Sequence, residues 1–600
     1  MNDFSPESIY TARIEDCERR LAGLRRIETS LGVLKLFIAA AGLFALFKAG
    51  TAYSSGWLVM LVGAIILFAS AAIIHEIFIR KSLALRLLKD INADEIRSLK
   101  HEFLGVDAGA GFVDSDHPYA PDIDLFGGRS VFHYINRAAT SAGVETLAGW
   151  LKSAPRPQDV REIEDRQAAA AEIKGKLDLR QNVQLHGRLI EDSPAKRDGL
   201  KGLLAEPPAL LPKRALVTVI HLLPLITIGA VGLAIAGLPW LIVPAPVLLQ
   251  ILLNRRMRDK VARVYGMTSR TAEILTAYSR IILELEGAEF ESPLLKRIRE
   301  GLRDEYRPAS LSIRKLASLA GYFDMRTSEF FHVLFNTLLL WDLHCLYRIE
   351  RWIQAAAGRV PGWFEAMGSF EALSSLACLG FNHPDWAVPR ISETGVFLEA
   401  VSLGHFLIPD AERVSNDLRI GGPGSILIIT GPNMAGKSTF LKTVGVNIVL
   451  ALAGGPVCAR SFAIRPVRLY SSMKVSDSLD KSLSLFYAEL QRLKMVLDAV
   501  DREERVFFLL DEILKGTNAL DRQKGAIALL RQLAGKSSGI VATHDLELTK
   551  LEQEFPDRII NHHFDGYIEG DKLLFDYRLK KGKCESFNAL ILMRKIGIDI

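Results

Sequence analysis

The sequence predicts an α/β domain with a parallel sheet at the C-terminus, preceded by a mostly helical region that carries long apolar hairpins. Three observations support this. Ile426 to Thr430 is an apolar run leading straight into Gly431-Pro432-Asn433-Met434-Ala435-Gly436-Lys437-Ser438-Thr439 and then the helix-like Phe440 to Leu452. Val506 to Leu510 is a second continuous apolar run, ending in Asp511 and Glu512, and Gly539 to Ala542 is a third, leading to Thr543-His544-Asp545. Continuous rather than alternating apolar runs are what strands covered on both faces of a parallel sheet require. Finally, neither Gly50 to His75 nor Ala215 to Asn254 contains a single Asp, Glu, Lys or Arg.

The first run has the strand, G-x-x-x-x-G-K-S loop and helix order of a Walker A phosphate cradle. Gly431 and Gly436 permit backbone angles that turn successive N–H groups inward, and the helix N-terminus adds its positive end. Lys437 is expected to reach the β/γ-phosphates of ATP, with the Ser438 hydroxyl on Mg²⁺. A glycine turn before an ordinary helix is the bland alternative, but it rarely adds both Lys-Ser and a preceding strand. Asp511 is expected to hold Mg²⁺ directly or through water, and Glu512 to orient or deprotonate the attacking water. His544 stands at a strand's carboxyl end, where α/β sheets bind ligands, and reads as a γ-phosphate sensor. A solvated strand end and a structural histidine are the competing explanations.

GPNMAGKST at Gly431–Thr439, DEILKGT at Asp511–Thr517 and ATHDLELT at Ala542–Thr549 together resemble the ATPase domain of the MutS DNA mismatch-repair family. The likeness runs from Gly421 almost to the C-terminus. It includes Ser484-Leu485-Phe486-Tyr487-Ala488-Glu489-Leu490, similar to that family's Ser-Thr-Phe signature with Leu485 for threonine. The resemblance implies an ABC-type P-loop ATPase in which two domains of a homodimer complete each other's site, with Ser484 approaching the partner's γ-phosphate. It also implies that Gly516-Thr517-Asn518 and Asp521 couple the two sites, and that Val414 to Asp417 flank the adenine. Upstream, Asp124 to Gly128, Leu147 to Leu151, Val160 to Gln167 and Phe370 to Ala377 resemble the opening and close of the family's helical core, or lever, domain.

The chain departs from the family before Asp124, where no mismatch-reading or connector domain is expected and no Phe-x-Glu wedge occurs. Two apolar segments stand there instead: Leu31 to Phe47, interrupted only by Lys35, and Gly50 to His75. The second is long enough to cross ~30 Å of hydrocarbon, and the first is marginal. Ala215 to Asn254, with Gly237-Leu238-Pro239 near its middle, reads as a second transmembrane hairpin, two spans of little spare length. Arg19, Arg20, Arg25 and Arg26 precede the first hairpin, and Arg80, Lys81 and Arg86 follow it. Lys213 and Arg214 precede the second, and Arg255, Arg256, Arg258 and Lys260 follow. The connections hold only Lys48, so the positive-inside rule puts both termini and the ATPase in the cytoplasm of a multi-pass membrane protein. Buried core helices are the alternative.

A mean hydropathy of +0.17 is high for a cytosolic ATPase and agrees with membrane segments. The net charge of +5 neither demands nor excludes a nucleic-acid partner. The five cysteines form no C-x-x-C pair, which predicts a reduced compartment and no zinc. The expected organisation is an amphipathic helix over 1–30, hairpin 31–80, connector 81–123, helical core 124–395 with the second hairpin inserted at 215–254, and ATPase 396–600. The expected function is a membrane-anchored ATPase of this family, with DNA, mismatched or branched, as a partner that the family supports and the missing reading domain opposes. The rival is an ABC-type ATPase driving a membrane process or transport without DNA. Against a transporter, Ser484 to Leu490 is not the Leu-Ser-Gly-Gly-Gln signature.

Overall fold

The computed structural model describes residues 5–52, 55–153, 160–190, 194–269, 271–303, 307–327, 329–473, 485–569 and 572–584. Two compact units are distinguished: Met1–Glu102 with Gln181–Glu191, and Phe103–Arg180 with Asp192–Ile600.

The first unit is built on a hairpin of two long helices, α1 (Pro6–Ala52) and α2 (Ser55–Leu99). The charged N-terminal segment and the first apolar segment are therefore one helix. α2 likewise continues past Arg80, where a connector was expected, to Leu99. No proline between Pro6 and Pro118 is present to stop either helix. The charged halves pack through Cys17, Leu21 and Leu85, flanked by Leu24 and Leu88, and Lys89 pairs with Glu18 at 2.6 Å. Ser82 donates to Glu28 at the base of the apolar halves. Beyond that level the large apolar side chains face outward: Leu36 is 72% exposed and Val59 72%. Residues 31–52 and 55–75 each rise about 30 Å at 1.5 Å per residue.

In the second unit the helices Ser141–Lys152 and Val360–Asn382 lie against each other at two glycines. A Cβ on Gly143 would come within 2.6 Å of the Glu371 carboxylate, and one on Gly368 within 2.7 Å of the Ala142 carbonyl. Glu371, buried, accepts from the Ala139 N–H (2.9 Å), the Thr140 N–H (3.1 Å) and the Thr140 hydroxyl, capping the start of the first of these helices.

The inserted hairpin corrects the expectation of four spans. Among the described residues three helices are long and apolar enough to cross a membrane: Pro6–Thr51, Ser55–Leu99 and Arg214–Ile235. The return arm, Pro244–Thr268, is a helix of 25 residues, but its apolar stretch stops at Arg255, where exposed arginines begin.

The chain from Arg390 onward holds three sheets. β1 (Arg390–Ile391), β2 (Leu398–Leu403), β3 (Asn416–Ile420) and β5 (Ser461–Ile464) form a mixed sheet in the order β1-β5-β2-β3. β4 (Ile426–Thr430), β6 (Arg468–Ser472), β7 (Val506–Asp511), β8 (Ser538–Ala542), β9 (Ile559–His563) and β12 (Lys580–Lys581) form the central sheet, order β12-β9-β4-β8-β7-β6. Its strands are parallel except β12. β10 (Gly566–Glu569) and β11 (Lys572–Phe575) make a small hairpin. β4 and β8 are buried along their whole length, β7 along all but its last residue, as the continuous apolar runs require. Register then sets the site: Ala542 is the partner of both Ile429 and Asp511, so β4, β7 and β8 end level with one another.

Candidate functional site

Three loops leave those level strand ends. The first, 431–436, requires its glycines: Gly431 sits at φ +145, where a Cβ would come within 2.5 Å of the Phe564 carbonyl, and Gly436 at φ +99, where one would meet the Tyr577 ring at 3.0 Å. Gly436 leads into the helix Lys437–Ala453, whose N-terminal N–H groups face the loop. Pro432 is half-buried, Asn433 and Met434 are exposed, the latter at 86%, and Ala435 is buried. Lys437 is buried, and its ammonium donates to the carbonyls of Gly431 (2.7 Å) and Pro432 (2.9 Å). Burial holds its pKa below the usual lysine range, against the pull of Glu512 and Asp511.

Ser438 and Thr439 are exposed at the helix start, and the Ser438 hydroxyl donates to Asp511 at 2.5 Å. Burial raises the Asp511 pKa, opposed by that hydrogen bond. Glu512 follows at φ +46, its N–H on the Ala542 carbonyl at 2.9 Å. Its carboxylate pairs with Lys515 at 3.0 Å and lies 3.6 Å from the His544 Nδ1. Burial pushes the Glu512 pKa up, but Lys515, His544 and Lys437 together hold it below the usual carboxylate range. Ser484, expected to serve a partner's site, lies outside the described residues.

A cavity of about 450 Å³ opens beside the glycine loop. It is lined by Asn433, Gly436 to Thr439 and Glu512, together with His405, Ile408, Val414, Asn416 and Tyr577. Val414 and Asn416 belong to the segment assigned to the base. His405, Ile408 and Tyr577 escape sequence reasoning because no local motif surrounds them. Asn416 fastens the two walls: its amide donates to the Tyr577 carbonyl (3.0 Å) and accepts from the Leu579 N–H (2.7 Å). His405 is held neutral, with burial lowering its pKa to about 4.

Two further groups tie the loops of the site to neighbouring helices. Glu489, on the helix Leu485–Asp501, is 4% exposed and accepts from the backbone N–H groups of Leu514 and Lys515, the second at 3.1 Å, so the signature helix grips the loop after Glu512. Asp122 is fully buried and accepts from Ser471 (2.6 Å) and Arg492 (3.0 Å), while Asp124 pairs with Lys442 at 2.6 Å. The segment ahead of the helical core is thus tied to both helices that flank the site.

Among the described residues no three His, Cys, Asp or Glu side chains cluster as a metal cage. The donor set fits Mg²⁺ instead, which takes one or two protein oxygens and completes its shell with phosphates and water. Ser438 and Asp511 offer two such oxygens side by side. Lys437, resting on carbonyls of the loop it must serve, fits a polyphosphate equally.

The family model for MutS domain V matches residues 427–598, spanning every element just described from β4 onward. Residues 427–598 are similar to MutS domain V. Curated relatives agree: the DNA mismatch repair protein MutS of Persephonella marina is 32% identical over 256 residues, 42% of this chain and 29% of its own. The DNA mismatch repair protein MutS 2 of Halobacterium salinarum is 30% identical over 255 residues, with the same shares. MutS of Chlorobaculum tepidum is 33% identical over 199 residues, 33% of this chain and 22% of its own. The aligned region thus spans less than a third of these relatives.

Proposed function

We propose that the chain is a membrane-anchored MutS-family ATPase with an ABC-type P-loop fold, which binds and hydrolyses ATP with Mg²⁺ at two composite sites of a homodimer. One observation carries the reading: Lys437, the Ser438–Asp511 pair and the Glu512–His544 pair converge where β4, β7 and β8 end level beside one cavity. MgATP supplies the phosphoanhydride bond that the site cleaves. Lys437 exchanges the Gly431 and Pro432 carbonyls for phosphate oxygens, and Ser438 and Asp511 hold the metal. Glu512 accepts the proton of the attacking water, and His544 steadies that carboxylate. Tyr577 and Ile408 flank the base. Ser484 of each copy completes the site of the other. Asp122, Asp124 and Glu489 carry motion at the site to the helical core.

The exposed apolar helices support anchoring, since soluble monomers rarely expose contiguous apolar patches beyond a few hundred Å². The arginine flanks favour a cytoplasmic-membrane location with the ATPase inside the cytoplasm. The relatives' name makes mismatched or branched DNA the first macromolecular ligand to test. The second reading, an ATPase that drives a membrane process without DNA, draws on the same apolar surface. Detergent-purified protein should show Mg²⁺-dependent ATP hydrolysis that Lys437→Ala abolishes; hydrolysis unaffected by that substitution sinks the assignment. A mobility shift of branched DNA that weakens steeply with salt favours the DNA reading, and its absence favours the second.

A further inference from the structure

We infer that the inserted hairpin enters the bilayer and turns back within its hydrocarbon without crossing it, an inference that rests on the membrane-anchored reading above. The arms are Arg214–Ile235 and Pro244–Thr268, joined through Gly237 at φ +108 and the single turn Trp240–Ile242. Their register is set by one buried hydrogen bond, Gln250 to the Thr227 hydroxyl at 2.8 Å. Counting five residues away from the tip along each antiparallel arm therefore brings Leu222 level with Arg255.

Polar and charged groups gather at that level on both arms and on the helices beside them. Arg255, Arg256 and Arg258 are exposed on the return arm. On the first arm the His221 ring lies 5.0 Å from His344 and 5.3 Å from Tyr347, over which Arg351 sits at 5.9 Å. Asn254 donates to the Asn336 carbonyl at 2.9 Å, and Asn336, His332 and Arg326 all converge on Asp342, at 3.2, 3.1 and 3.6 Å. Exposed arginines and such a lattice of charge are costly in hydrocarbon.

Between this boundary and the tip the outward surface is apolar. Leu222, Leu225, Ile226, Ile228, Leu233 and Ile235 are 51–74% exposed on the first arm. The tip is apolar too: Trp240 is 61% and Leu241 84% exposed, and 236–243 contain no charged residue. A crossing hairpin would put this tip in water. From Leu222 to Ile235 the helix rises only about 20 Å, short of the ~30 Å of hydrocarbon. The apolar arms of α1 and α2, about 30 Å each, match that thickness. The tip therefore stays within the hydrocarbon, past its middle but short of the far headgroups, and the ring of arginines meets the headgroups of the leaflet facing the ATPase.

The test is topological, on the full chain reconstituted in sealed vesicles. The five native cysteines are buried, so single introduced thiols are readable. Leu241→Cys should show a loss of labelling by a membrane-impermeant maleimide added to either face, and a nitroxide on it should be relaxed by oxygen rather than by a water-soluble nickel chelate. Thr51→Cys, at the turn of the first hairpin, should label from the face opposite the ATPase. Labelling of Leu241→Cys from the same face as Thr51→Cys would establish a crossing and overturn the inference; ready labelling from the ATPase face would overturn it by leaving the tip in water. Release of the protein by an alkaline carbonate wash would overturn the anchoring reading itself.

Discussion

The hydroxyl of Ser438 donates to the carboxylate of Asp511 across 2.5 Å, joining the first turn after the glycine loop to the end of β7. The two side chains are 73 residues apart in sequence. They meet because β4 and β7 both flank β8 in matched register. On the proposed reading, these two side chains would hold Mg²⁺.

Lys437→Ala removes the cation that the glycine loop encloses. Affinity for MgATP should fall at least about tenfold, or about 1.4 kcal/mol, by isothermal titration. The fold should persist, because the Gly431 and Pro432 carbonyls that lose the ammonium face an open cavity that water can enter.

Glu512→Gln keeps the shape of the side chain and removes its basicity. Hydrolysis should drop by about 10²–10⁴-fold, the usual worth of a positioned general base, while ATP binding stays intact. Single-turnover measurements with pre-bound ATP separate these effects. Unchanged turnover would assign the base elsewhere.

Glu489→Ala takes the acceptor from the Leu514 and Lys515 N–H groups. Leaving such buried donors unpaired costs about 1–3 kcal/mol, readable in urea unfolding. The loop behind Glu512 should loosen, so kcat should fall more than ATP affinity. Glu489→Gln, which keeps one carbonyl acceptor, should recover part of the loss.

Glu172 gives a pH-dependent contribution of defined sign. Its carboxylate accepts from the Glu291 N–H (3.0 and 3.1 Å) and the Ser292 N–H (2.7 Å). Burial pushes its pKa up, but these bonds and Lys176 outweigh burial and hold it below its ordinary 4.5. A depressed folded-state pKa means that the stabilisation is present above pH 4.5 and is lost as pH falls through the lower folded value. Wild-type protein should therefore lose melting temperature on acidification through this range more steeply than Glu172→Gln. Parallel melting curves would contradict it.

The phosphate loop, the acidic end of β7 and the histidine after β8 are legible in the sequence because each is a contiguous stretch whose chemistry depends on its own neighbours. Gly431 and Gly436 need their backbone angles, Lys437 and Ser438 need a helix start, and Asp511 needs a strand behind it. The outward-facing helices around Leu36 and Val59 are legible for a similar reason, since long uncharged runs carry their own hydrophobicity. Tyr577, His405 and Ile408 leave no such trace. They reach the cavity from segments far apart in the chain, through hydrogen bonds such as Asn416 to Tyr577 that no local pattern encodes.

The inserted hairpin marks the division most clearly. Composition alone dictates that residues 215–254 form apolar helices with a break at Gly237, because uncharged residues favour burial and a glycine permits the turn. How deep those helices reach depends on which residues stand level across the arms, and on the polar side chains that Asp342 gathers beside them. Such contacts join residues distant in sequence, and their geometry exists only once the chain has folded.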